Sequence, residues 1–178
     1  MWRDVMASRV AIVDQDKYPT GDPLAQEVSL TLIRTFGTLN SLMNDYLAPY
    51  SLSRARLHVL NFLARAPEGT MRMREIGSAL RVTKAYVTNL IDGLQRDGLV
   101  ERTSDPQDRR GIQTRITAAG RDRLGKAMPA HLDQLRQLWS GLEEDEKLML
   151  IHLLAKARGQ LLIASGGTIE PNDQSLPL

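Results

Sequence analysis

The sequence predicts a mainly α-helical chain carrying one small β-hairpin, an α+β arrangement in which helices dominate. Aromatic residues make up only 4% of the 178 residues while 42% are hydrophobic, so the core must be built from Leu, Ile, Val, Ala and Met. Apolar residues recur at three- and four-residue steps along most of the chain, the spacing of amphipathic helices. One stretch, 99–117, breaks that rhythm with two strand-like runs around an Asp-Pro and a Gly.

Residues 1–21 read as an N-terminal arm that ends in the turn Tyr18-Pro19-Thr20-Gly21. Asp22-Pro23 places a capping carboxylate before a proline at the first helical position. From there Leu24, Val28, Leu32, Phe36, Leu39, Met43 and Leu47 mark the stripe of one long helix, ended by Pro49. Ser53 caps a second helix whose Leu57, Leu60 and Ala64 face inward and which stops at Pro67; Glu68-Gly69-Thr70 reads as a turn. A short third helix spans Arg74–Leu80. Thr83 caps a fourth, with Val87, Leu90, Ile91 and Leu94 as its buried stripe and Gly98 just beyond its end. Leu99–Thr103 and Ile112–Thr117 suit strands, and Ser104–Gly111 forms the hairpin loop. Thr117 caps a helix through Leu124, Met128, Leu132, Leu135 and Trp139, with a kink expected near Pro129. A last helix follows Leu142, its acidic start (Glu143–Glu146) and basic end (Lys156, Arg158) suiting the helix dipole; 165–178 reads as a flexible tail.

Two short helices joined by a tight turn and followed by a hairpin make a winged helix-turn-helix, here at 51–117. The helix within 22–50 and the helices within 118–164 carry apolar stripes too long to bury inside so small a domain. They are expected to be dimerisation helices that cover one another in a homodimer.

With no cysteine, disulfides, thiolate nucleophiles and Cys-ligated zinc are excluded. The apolar run Val10–Val13 is short and followed by Asp14 and Asp16, unlike a signal peptide. No stretch approaches the ~20 apolar residues of a membrane span, so the expectation is a cytoplasmic protein with no membrane partner. His58, His131 and His152 occur singly, without the i,i+4 pairing of a metal site, so no metal is expected. Phosphate-binding and dinucleotide glycine patterns, HExxH and Gly-x-Ser-x-Gly are all missing, so neither an enzyme nor a cofactor is expected. Net charge is only +2, but residues 70–126 hold 12 Lys/Arg against 7 Asp/Glu, leaving 11 against 14 elsewhere. A basic middle suits an anionic partner; chance variation in surface charge is the plain alternative.

Several motifs then combine: Ile76-Gly77-Ser78-Ala79-Leu80, Val82–Leu94 (Val-Thr-Lys-Ala-Tyr-Val-Thr-Asn-Leu-Ile-Asp-Gly-Leu), Asp97-Gly98-Leu99-Val100-Glu101-Arg102, Asp105-Pro106-Gln107-Asp108-Arg109-Arg110-Gly111 and Ile116-Thr117-Ala118-Ala119-Gly120. Each alone is weak, but together and in this order residues 52–120 resemble the MarR (multiple antibiotic resistance regulator) family of winged-helix transcription regulators. The flanking helices fit the family's dimerisation helices by position and periodicity only. The resemblance implies a homodimer on palindromic operator DNA, usually a repressor, released by a small molecule bound between the long helices and the wing domain. The redox-sensing branch uses cysteines and the zinc-sensing branch a cluster of His and acidic ligands, and the chain has neither. A urate-responsive branch uses an N-terminal Trp and an acid early in the second helix. Trp2 is present, but His58 stands nearest the position of the acid.

In such a fold the fourth helix enters the major groove, which displays a distinct donor–acceptor pattern for each base pair. Lys84, Tyr86, Thr88 and Asn89 lie opposite its buried stripe, and Thr83 at its start can offer a hydroxyl to a phosphate. A solvated helix face with Thr83 as a plain cap is the competing reading. The resemblance places Arg110 in the minor groove, Asp108 as the partner orienting an arginine, and Arg109 and Arg102 at phosphates. Arg72, Arg74 and Arg115 fit phosphate contacts and solvated charges equally well. Tyr46, His58 and Trp2 are the candidate effector contacts, for a small aromatic or lipophilic anion. The alternative from another class keeps the fold but uses it to bind protein or RNA without operator specificity.

Overall fold

A computed structural model of the chain describes residues 22–105 and 108–164, the side chains of 105 and 108–111 excepted. The arm at 1–21, Trp2 with it, and the tail at 165–178 lie outside the described residues. The elements run α1 (Pro23–Leu47), a 3-10 turn (Ala48–Tyr50), α2 (Arg54–Arg65), a second 3-10 turn (Pro67–Gly69), β1 (Thr70–Arg72), α3 (Met73–Leu80), α4 (Lys84–Arg96), β2 (Val100–Asp105), β3 (Asp108–Ile116), α5 (Ala118–Leu138) and α6 (Glu144–Ala164). The chain forms two compact units, one ending at Ala127 and the other beginning at Met128 within α5.

Helix starts follow the capping chemistry. The Asp22 carboxylate accepts from the amides of Leu24 at 2.9 Å and Ala25 at 3.2 Å, and Ser53 Oγ accepts from the Arg56 amide at 3.3 Å. Such caps satisfy amides with no intrahelical partner and are worth about 1 kcal/mol each. The core of the first unit gathers Leu47 from the end of α1, Leu57, Leu60 and Leu63 from α2, Ile76 from α3, Ile91 and Leu94 from α4, and Leu99, all buried. Burying such side chains stabilises by about 1.5–3 kcal/mol each.

The sheet is antiparallel with order β1-β3-β2. Met71 and Arg102 both lie opposite Thr114, so β3 is the central strand. The sequence reading assigned Thr70 to a turn and contained no β1. That strand is three residues long and takes its partner from residues 113–115, more than forty positions away, which local periodicity does not register. The hairpin strands also extend further than expected, β2 to Asp105 and β3 from Asp108, with an irregularity at Ser104/Asp105.

Two close approaches fix how the hairpin leaves α4 and enters α5. Gly98 takes φ +70°, and the Leu99 amide donates to Leu94 O at 2.9 Å, closing the helix end. Thr117 Oγ1 donates to Gly98 O at 2.7 Å and accepts from the Gly120 amide at 3.0 Å. At Gly120 a Cβ would stand 2.1 Å from Leu99 O, so only glycine allows this crossing.

Candidate nucleic-acid interface

α3 and α4 are joined by Arg81, in the left-handed region at φ 55°, with the Val82 amide donating to Gly77 O at 3.1 Å. Gly77 lets the helices close: a Cβ there would be 3.2 Å from Val87 Cγ2. Val87, Ile91 and Leu94 are buried, as the stripe predicts, while Leu90, expected among them, is half-buried. The face left over carries exposed Lys84, Ala85, Tyr86 and Asn89.

The two threonines of this face are already engaged by the helix. Thr83 Oγ1 accepts from the Tyr86 amide at 3.3 Å, which is the capping geometry, and half-buried Thr88 donates its hydroxyl to Lys84 O at 3.0 Å. Each keeps lone pairs for an incoming donor, and the α4 N-terminus carries the positive end of the helix dipole. A cavity of about 660 Å³ lies between α3 and α4, lined by Met73, Gly77, Val82 and Val87 together with exposed Arg74, Arg81 and Lys84. Three cationic side chains border one groove beside the exposed helix face.

Arg102, which the sequence reading put at a phosphate, is held by α4. Its guanidinium donates to Asp92 Oδ1 at 2.5 Å and to Gln95 Oε1 at 2.6 Å. Nothing in the sequence alone links these residues, because the turn at Gly98 separates them. Arg56 makes a second bond of this kind from α2, donating to Asp97 Oδ2 at 2.7 Å and to Ser51 O at 3.2 Å. It passes over Gly93, where a Cβ would stand 2.6 Å from its Nη2. The C-terminal half of α4 and its cap Asp97 are thus tied to two neighbouring elements.

In the wing, Asp108, Arg109 and Arg110 fall at the start of β3, and their side chains lie outside the described residues. Arg115 reaches Glu101 across the hairpin at 3.9 Å, with both side chains about half exposed, a pair of small energetic weight. Tyr46 is half-buried on α1, where burial raises its hydroxyl above the ordinary tyrosine range. Half-buried His58 lies on α2 with its ring 6.0 Å from that of Phe62. α1 packs on α2, so these two candidate effector residues share one helix pair. Among the described residues no group of His, Cys, Asp or Glu is arranged to hold a metal ion, and no helix is long and apolar enough to cross a membrane.

With this geometry in hand, comparison with known proteins is decisive. The MarR family description matches residues 50–111, from the 3-10 turn before α2 to the wing. The HTH-type transcriptional repressor YetL of Bacillus subtilis is 30% identical over 139 residues, covering 78% of this chain and 83% of its own length. The chain belongs to the MarR family. Its members are DNA-binding transcription regulators, not enzymes. Another MarR-type relative, the regulator MhqR of Bacillus subtilis, is 26% identical, covering 71% of this chain and 86% of its own. Among solved structures, a MarR mutant from Escherichia coli complexed with operator DNA is 27% identical, with a TM-score of 0.68 over 77% of this chain and 99% of the other. Sco3205 of Streptomyces coelicolor, a MarR family regulator in complex with DNA, has the same fold at 23% identity, with a TM-score of 0.72 over 85% of this chain and 91% of the other. The winged helix-turn-helix with flanking helices is therefore the family architecture.

Proposed function

We propose that the chain is a homodimeric repressor that binds palindromic operator DNA and is released by a small aromatic or lipophilic anion. The observation that carries this reading is the two-faced α4, with Lys84, Tyr86 and Asn89 exposed beside a groove bordered by Arg74 and Arg81. Lys84 and the α4 N-terminus suit phosphate oxygens, Asn89 suits the bidentate pattern of adenine, and Tyr86 suits a thymine methyl or a phosphate. Thr83 and Thr88 add acceptors at the same edge. In the wing, Arg110 would enter a narrow minor groove, Asp108 would orient an arginine, and Arg109 would meet a phosphate.

Dimerisation is supported by apolar surface that a single protomer leaves bare. Leu24, Val28, Leu32 and Phe36 fall at four-residue steps along α1, and Ile151 on α6 is 64% exposed. A dimer would set two α4 helices about one DNA turn apart, ~34 Å, so that each enters a successive major groove. An effector near Tyr46 and His58 would lower DNA affinity by favouring a different spacing.

Selection of bound duplexes from a random pool tests the whole reading. A palindromic sequence should emerge, with affinity falling steeply in salt at a log–log slope near −0.9 per phosphate contact. Release of that duplex by a panel of small aromatic acids tests the effector. Enrichment of no sequence, with weak or salt-insensitive binding, would instead favour a protein- or RNA-binding module.

A further inference from the structure

We propose that Arg102 is a positioning residue that clasps the wing to the recognition helix, acting through the hairpin rather than by touching a phosphate. Asp92 and Gln95 are three residues apart on α4 and so present neighbouring acceptors one turn apart on one face. The Arg102 fork meets both at once, at 2.5 and 2.6 Å. A planar guanidinium does this with two separate N–H groups, whereas an ammonium offers one point of charge.

The pairing also answers an electrostatic problem. Asp92 is on the same helix as Lys84 and Asn89, and its side chain is 44% exposed. Unpaired, that carboxylate would repel a phosphate ridge; paired with Arg102 it presents no net charge. A guanidinium already neutralised in this way contributes little to counterion release. The clasp lies near the root of β2, two residues beyond Val100. From Arg102 to the end of β2 at Asp105 is three residues, about 10 Å at ~3.3 Å per residue. A pivot of about 10° at the root therefore moves the strand end by roughly 2 Å, about a third of the width of a groove about 6 Å wide.

The consequence for DNA rests on the operator-binding reading above; the clasp itself is testable without DNA. Arg102→Lys and Arg102→Ala should be compared in the full chain, each alone and combined with Arg110→Ala, on a duplex selected from the pool. If the clasp acts through the wing, Lys fails to rescue. Both variants should lose about 10-fold in affinity, the salt slope should stay at the parental value, and the loss should shrink below about 2-fold once Arg110 is gone. A phosphate contact gives the opposite pattern. Lys would restore affinity, Ala would lower the slope by about one, and the losses would multiply; that outcome overturns the proposal. If the parent binds no duplex, the operator reading fails separately, and hydrogen exchange of the free protein decides the clasp. Hairpin amides should exchange several-fold faster in Arg102→Lys, and in Gln95→Ala from the other side of the bond, than in the parent. Unchanged exchange in both variants overturns it.

Discussion

α4 and α6 spend their apolar residues in opposite ways. α4 buries Val87, Ile91 and Leu94 and turns polar residues outward, so its hydrophobic stripe is satisfied within one protomer. α6 is a longer helix with no buried residue, and Leu148, Met149, Ile151, Leu153, Leu161 and Ile163 are each more than half exposed. The first helix is a finished surface, its exposed side available to a polar partner. The second is unfinished, because bare apolar area on this scale is the mark of a surface built to be covered. One chain therefore carries a fold that closes on itself and a helix that needs another surface.

The sharpest way to break that contrast is to damage each helix in turn. Ile91→Ala removes a fully buried side chain and should cost about 2–5 kcal/mol of unfolding free energy, measured by denaturant titration. Ile151→Lys, at a position 64% exposed, should leave the fold of the winged-helix region intact while weakening self-association by about 10-fold or more. Sedimentation should then shift from twice the 19.9 kDa protomer mass toward the protomer. Equal, concentration-independent loss of stability in both variants would erase the distinction. Arg110→Ala addresses the polar side: it should cost about 1–3 kcal/mol of operator affinity with the melting temperature unchanged, and equal affinity would remove the wing from the interface.

The contrast also explains what the sequence made legible. α4 was bracketed by Thr83 and Gly98, and the structure gives Lys84–Arg96. Its amphipathic stripe is a local pattern, readable because burial happens within a few helix turns. The apolar residues of α6 were equally readable, and they pointed to a second surface for want of room in a small domain. What escaped was non-local. β1 is three residues defined only by its pairing with β3, and the Asp92–Arg102 bond joins residues across a turn and a change of element. An arginine in a basic segment suggests a phosphate ligand, and the carboxylate beside Arg102 is visible only in the structure.

The two units each hold one buried polar side chain among the described residues, and these give the smaller tests. His131 on α5, in the second unit, is only 6% exposed, and burial lowers its pKa below the ordinary 6.5. The unfolded state therefore takes up a proton at higher pH than the folded state. His131 should contribute its stability fully above pH ~6.5 and lose it as pH falls through the folded-state value, at up to about 1.4 kcal/mol per pH unit. His131→Gln should flatten stability between pH 7 and pH 5. An unchanged pH profile would mean that the imidazole is as well solvated folded as unfolded.

Thr114, in the first unit, is the smallest test and the most direct check on how completely that unit is satisfied. It is fully buried on the central strand, opposite Met71 and Arg102, and its Oγ1 has no hydrogen-bond partner among the described residues. A buried hydroxyl without a partner has given up its water for nothing, a cost of about 1–3 kcal/mol. Valine keeps the branched shape that β3 favours and replaces the oxygen with a methyl. Thr114→Val should therefore raise the unfolding free energy by about 1 kcal/mol with the m-value unchanged. If stability falls instead, the hydroxyl is paired in solution, by a bound water or a small shift of β1, and the first unit's core is more polar than its contacts suggest.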